Sequence, residues 1–248
     1  MAQAGLILEM LFGQMPAELA EDYDNVGLLA GSSRSEVRIV LCALDLTSRV
    51  VDEAIEMGAQ LIVTHHPILF RGRKNLCEDD PEGAMLAKLV RSRIALIAMH
   101  TNFDSAEDGV NDALAQKLGL ANVRALESGM RIGEIEKSKL ASLGRDVENK
   151  LGGVVRRYGE PERTVSAVAV MGGSGGSYGG IALAAGADVF VTGEVSYHTA
   201  LDLYDRGMCV LEAGHAATEL PAVHLMAEKL NKLGLGLDVH ISAAETFR

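Results

Sequence analysis

LIVTHH, running from Leu61 to His66, is four apolar or small residues followed by two histidines. Apolar residues at successive positions describe a strand buried on both faces, the mark of a parallel sheet covered by helices. Two further stretches repeat the arrangement. IALIAMHTNFD (Ile94 to Asp104) and MCVLEAGHAATE (Met208 to Glu219) each pass from an apolar run into histidine and carboxylate. Each polar cluster therefore falls at the carboxyl end of a predicted strand, the edge where open α/β sheets bind ligands.

Working outward from Leu61, strands and helices alternate along the whole chain. Strands are predicted at 37–44, 61–64, 94–99, 164–171, 188–192 and 208–212, with a short one at 236–241. Helices are predicted at 4–14, from Thr47 to Met57, and at 82–92, 108–118, 196–206 and 216–233. Thr47 and Pro81 are N-terminal helix signals, and Gly58 and Gly119 are stop signals. The expected class is α/β, a largely parallel sheet covered by helices. Between 127 and 165 charge rises and apolar runs shorten. A strand at 131–136, a helix at 138–151 and a strand at 154–158 are expected there. The expected division is an α/β core from 1–126 and 166–248, with 127–165 as a smaller lobe or an edge region.

The 248 residues are 48% hydrophobic and 23% charged, ordinary for a globular chain with a core. No apolar run approaches the roughly 20 residues that span a bilayer. The first 33 residues lack Lys and Arg, so the usual secretory and transit signals are not expected. The three cysteines form no C-x-x-C, so a reducing, cytoplasmic setting is expected. A net charge of −11 and the absence of Trp argue against a nucleic-acid partner. Arg71, Arg73 and Lys74 form the one local basic group near the histidines, and a solvated loop accounts for it equally well.

The clusters carry the chemistry. His65 and His66 leave the strand in different directions, so each suits a different ion of a close pair. The alternative is two polar loop residues. His100 and Asp104 are four apart, as are His215 and Glu219, and the second pair lies on one face of a helix. Turn formation or a helix cap would explain the first pair, and a dipole-favoured first-turn Glu the second. Three coincidences on one predicted edge favour metal. Imidazoles with carboxylates suit Zn, Fe, Mn or Ni, and the set is large enough for two ions. With no cysteine ligand it reads as an open, catalytic type of site. Glu194 and His198, at another strand exit, are candidate proton shuttles, with helix capping as the alternative. Asp24, Asn25 and Asp45 are weaker candidates for the same edge. The run GGSGGSYGG at 172–180 either cradles a phosphate or packs closely beside the site. His224 and His240 read as structural.

DNVGLL (Asp24 to Leu29), THHP (Thr64 to Pro67), HTNFD (His100 to Asp104), GVND (Gly109 to Asp112), GGSGGS, TGE-x-x-x-H (Thr192 to His198) and GH-x-x-TE (Gly214 to Glu219) occur in that order. Together they resemble the GTP cyclohydrolase 1 type 2 homologue family, the Nif-three-like dinuclear-metal proteins, in its short form. The resemblance implies a Nif-three-like fold of two similar α/β lobes. It implies a two-metal centre of His65, His66, Asp104, His215 and Glu219, with Glu219 bridging and His100, Glu194 and His198 nearby. It also implies a toroidal homohexamer. Ala216 departs from the aromatic or histidine that many members carry there. The function expected is a dinuclear metal-dependent hydrolase acting on a nucleotide-like or other small molecule. A non-catalytic metal-binding ring that serves protein interaction is the alternative.

Overall fold

A computed structural model describes residues 1–244 and divides the chain into two compact units. Of the described residues, the first comprises Met1–Ala106 and 223–244, and the second comprises Glu107–Ala222.

In the first unit a five-stranded sheet is ordered Asp238–Ile241, Ile39–Ala43, Leu61–Thr64, Ala95–Ala98, Gly27–Ala30. All neighbours are parallel except the last, which lies antiparallel to Ala95–Ala98. The Leu61–Thr64 strand is central and wholly buried, as its unbroken apolar run requires. Leu41, Ile62 and Leu96 share a core with Val50, Val51 and Ala54 of the Ser48–Glu56 helix and Leu89 of the Pro81–Arg91 helix. Thr47 starts the former helix by accepting from the Val50 amide at 3.2 Å. Asp80 does the same for the latter, from the Gly83 amide, with Pro81 just inside.

The second unit has a six-stranded sheet ordered Ala121–Ala125, Arg131–Lys139, Thr164–Met171, Val189–Thr192, Cys209–Glu212, Arg156–Tyr158. Only the three strands from 164 to 212 are mutually parallel, and the flanking ladders are antiparallel. The expectation of a largely parallel sheet thus holds for the first unit, while the second is mixed. Alternation along its strands sorts the core by face. Val168, Val170, Val189 and Val191 face Leu114, Leu140 and Leu143. Ala169 and Phe190 face Met130, Ala182 and Leu203 on the other side.

The unit boundaries fall at 106/107 and 222/223, not at the composition change around 127 and 165. Residues 127–165 lie inside the second unit and supply the Arg131–Lys139 and Arg156–Tyr158 strands of its sheet. Their charge follows from position: beyond Gly133 the first strand is largely exposed, and the second is an edge strand. Among the described residues no helix is long and apolar enough to cross a membrane.

Candidate metal centre

In the first unit the ladder continues past the strand ends and carries the histidines to the sheet edge. The amides of His65 and His66 donate to Ala43 O and Leu44 O at 3.2 and 2.9 Å, and the Met99 amide donates to Thr64 O at 3.0 Å. The buried Thr64 hydroxyl donates to His66 O at 2.9 Å and turns the chain there. His65, His66 and His100 converge. Their ring centroids are 4.9, 5.2 and 5.5 Å apart, and one ring nitrogen from each lies within 4.8 Å of the others. Asp104, on the short Thr101–Ser105 helix, places Oδ1 3.7 Å from His65 Nε2.

The outer side of each ring is anchored. Nδ1 of His65 donates to Met99 O at 2.9 Å, Nδ1 of His66 to Asp45 at 2.9 Å and Nδ1 of His100 to Asp24 at 2.8 Å. A carbonyl or ionised carboxylate oxygen only accepts, so the proton of each neutral ring sits on Nδ1 and the lone pair on Nε2. Metal-ligating histidines are oriented in this way, the second nitrogen bonded outward to a carbonyl or carboxylate. The three imidazoles fit a transition-metal ion and could hold one.

Asp24 shows how far the sequence had to reach to build this cluster. Its carboxylate is fully buried and accepts from His100 Nδ1, the Thr101 amide and the Thr101 hydroxyl. Burial alone would raise its pKa. The bonds from His100 and Thr101 outweigh that and hold the carboxyl well below the usual range. Asn25 ties Leu69 O at 2.7 Å, and buried Asn102 spans from the His100 amide to Met15 O. The DNVGLL and HTNFD motifs therefore fix ring orientation and backbone as well as supplying donors. The basic group after His66 is partly neutralised, since Arg73 pairs with Asp80 and Glu82.

In the second unit the equivalent edge carries Glu194 and His215. The Ala213 and Gly214 amides extend the ladder onto Thr192 O and Gly193 O at 2.8 and 3.0 Å. The His215–Asn231 helix then sets His215 and Glu219 one turn apart, with Nε2 and Oε2 3.1 Å from one another. Glu219 is only 4% exposed. Two lone-pair donors at that separation on one helix face suit a shared cation. Glu194 Oε1 lies 3.3 Å from His215 Nδ1, and its Oε2 accepts from the Ser174 hydroxyl at 2.6 Å. The Ser174 bond, with burial opposing and the His215 charge assisting, holds Glu194 below the ordinary carboxylate range. His198 is exposed on the Tyr197–Asp205 helix and contacts the Tyr197 ring. Among the described residues nothing joins it to His215 or Glu194. His240 pairs with Asp238 at 2.9 Å.

The glycine run packs against this edge. The Gly172 amide donates to Asn111 Oδ1 at 2.9 Å, Gly173 to the Thr218 hydroxyl at 3.1 Å and Gly176 to Glu194 O at 3.1 Å. Protein groups occupy those amides, so the loop is a close-packed wall. Gly173 has φ +57°, and a Cβ there would overlap Glu219 Oε1 and stand 3.2 Å from His215 Nε2. Asn111 and Thr218 escaped the sequence reading as site residues. The signal available was their place inside GVND and GH-x-x-TE.

The sequence model of the Duf34/NIF3 (NGG1p interacting factor 3) family matches residues 2–247. A Clostridium acetobutylicum protein named GTP cyclohydrolase 1 type 2 homolog is 35% identical over 92% of this chain and 90% of its own length. A Streptomyces coelicolor protein of the same name is 36% identical over 97% and 91%. Among solved structures, a Bacillus cereus protein related to NIF3 superposes with a TM-score of 0.93 at 25% identity, covering 99% of this chain and 98% of that one.

Proposed function

The chain belongs to the Duf34/NIF3 family, and from that premise we propose that it is a hydrolase dependent on two divalent transition-metal ions. The observation that carries the proposal is the convergence of His65, His66 and His100, each with Nδ1 committed outward. Ligation by His65 and His66 needs no rearrangement of their tautomers, and the same outward bond leaves the Nε2 lone pair of His100 facing the site. The resemblance groups His65, His66, Asp104, His215 and Glu219 as one ligand set, and that grouping is part of the proposal. When bound, such ions supply Lewis acidity and make water a nucleophile near neutral pH. The protein's own contribution is orientation and proton transfer. His100, with Asp24 fixed on Nδ1, presents Nε2 as a base, and the Asp24 carboxylate stabilises the imidazolium that forms. The substrate class is a nucleotide-like or other small molecule, with GTP the first to try given the relatives' name.

The test loads the protein separately with Zn, Fe, Mn and Ni. It then measures formate and phosphate release from GTP, other nucleotides and simple phosphoesters. Turnover lost on chelation and in His100→Ala supports the reading. A metal-loaded protein that turns over nothing sinks the hydrolase and leaves the binding ring. The same proposal includes a toroidal homohexamer, supported by the resemblance and checked by light scattering against the 26.3 kDa chain mass. It also includes a reducing, cytoplasmic setting, supported by Cys42, Cys77 and Cys209 being free thiols.

A further inference from the structure

Glu194 has both carboxylate oxygens committed. Oε2 accepts from Ser174 and Oε1 accepts from His215 Nδ1. Its backbone is pinned to the glycine loop on both sides, the amide donating to Gly173 O at 2.8 Å and the carbonyl accepting from Gly176. An ionised carboxylate on Nδ1 places the ring proton there and turns the Nε2 lone pair toward Glu219. In the first unit Asp45 does this for His66 and Asp24 for His100.

We propose that Glu194, itself held by Ser174, is a positioning residue that fixes the tautomer and orientation of His215 for metal ligation. The inference rests on the reading above that His215 and Glu219 are ligands. It differs from the proton-shuttle role expected for Glu194 in what the carboxylate faces: Oε2 meets Ser174 and Oε1 meets His215, both within the protein.

The experiment compares wild type, Glu194→Ala, Glu194→Gln and Ser174→Ala. Zn2+ affinity is read by competition with a chromophoric chelator. The His215 tautomer is read by nitrogen-15 NMR in metal-free protein, and the melting temperature is taken alongside. Glu194→Ala is expected to weaken one Zn2+ equivalent about 10–100-fold, the usual cost of losing a partner behind a ligating histidine. The Nδ1–H tautomer loses its dominance in the same variant. Glu194→Gln retains an accepting oxygen and recovers most of the affinity, and Ser174→Ala shows a smaller loss. Because Glu194 is 57% exposed, metal-free melting temperatures stay at the wild-type value. Unchanged Zn2+ affinity in Glu194→Ala overturns the inference, as does an unchanged His215 tautomer. If wild type itself binds no Zn2+, the metal reading fails, and the tautomer comparison still decides whether Glu194 positions the ring.

Discussion

Substituting alanine for Gly173 probes the wall behind Glu219 with a single methyl group. Two costs can be worked from the structure. The backbone sits at φ +57°, where a residue with a Cβ loses roughly 1–2 kcal/mol relative to glycine. The new Cβ would also stand closer to Glu219 Oε1 than the 3.0 Å real Cβ atoms keep, with Glu219 Cδ at 3.1 Å. Neither the helix backbone nor the loop can yield freely, since the Thr218 hydroxyl bonds Gly173 N, Gly214 O and His215 O together. The carboxylate must therefore retreat by about 1 Å, several times the ~0.2 Å tolerance of a metal–ligand distance. Strain alone lowers the melting temperature by about 2–8 °C for a chain of this size. Metal affinity falls at least as far as the roughly 10–100-fold lost with a supporting partner. The assay is Zn2+ titration together with thermal unfolding in chelator. Gly180→Ala is the control: Gly180 is helical and exposed, and a Cβ there meets nothing within 4 Å. That control gains about 0.5–1 kcal/mol and binds as wild type. Wild-type affinity and melting temperature in Gly173→Ala would show that the loop does not wall Glu219 in.

Two further outcomes follow from buried charge. Arg131 is 5% exposed and forms a bidentate pair with Asp112 at 2.7 Å on each arm. Asp112→Ala removes the carboxylate opposite that guanidinium, whose Nη1 keeps Gly129 O at 2.7 Å, and costs about 3–5 kcal/mol in chemical denaturation, while Asp112→Ala with Arg131→Met recovers much of it; a single-variant loss no larger than that of an ordinary surface change contradicts this. Asp188 accepts from the Ser166 and Ala167 amides at 2.8 and 2.9 Å, and these bonds outweigh burial to lower its pKa. A folded pKa below the unfolded one gives stability that is complete above the unfolded value near about 3.9 and is lost as pH falls through the folded value. Asp188→Asn is thus less stable than wild type at neutral pH, and the gap closes on acidification; a gap that widens in acid contradicts the assignment.

What the sequence made legible was whatever buried a continuous apolar run. The strands at 61–64 and 164–171 stand where their residues predict. The cluster edge followed because His65, His100 and His215 come directly after such runs or one turn beyond them. Gly27–Ala30 was missed: four residues that begin with Gly27 and are followed by Gly31 carry too little pattern, and the antiparallel pairing with Ala95–Ala98 is long-range. Ala121–Ala125 was missed because every residue in it is exposed, so no alternation marks it. The Thr101–Ser105 helix is a single turn set by Asp24 and Asn102, not by periodicity. The bonds that orient the rings are equally silent in one dimension. Asp24 and His100 are 76 residues apart, and Gly172 and Asn111 are 61 apart. Glu194 reads as a candidate proton shuttle in the sequence, and its contacts with Ser174 and His215, on which the proposed positioning role rests, are invisible there because a strand-exit carboxylate looks the same whether it faces solvent or an imidazole.

Elemental analysis of untagged protein counts the ions of the proposed two-metal centre, on wild type and on the double variant His65→Ala/Glu219→Ala. Wild type is expected to carry about two transition-metal ions per chain, as two-metal hydrolytic sites hold, and the variant to lose them. Wild-type protein that is folded, carries no metal above background and takes up none on reloading would contradict the two-metal centre.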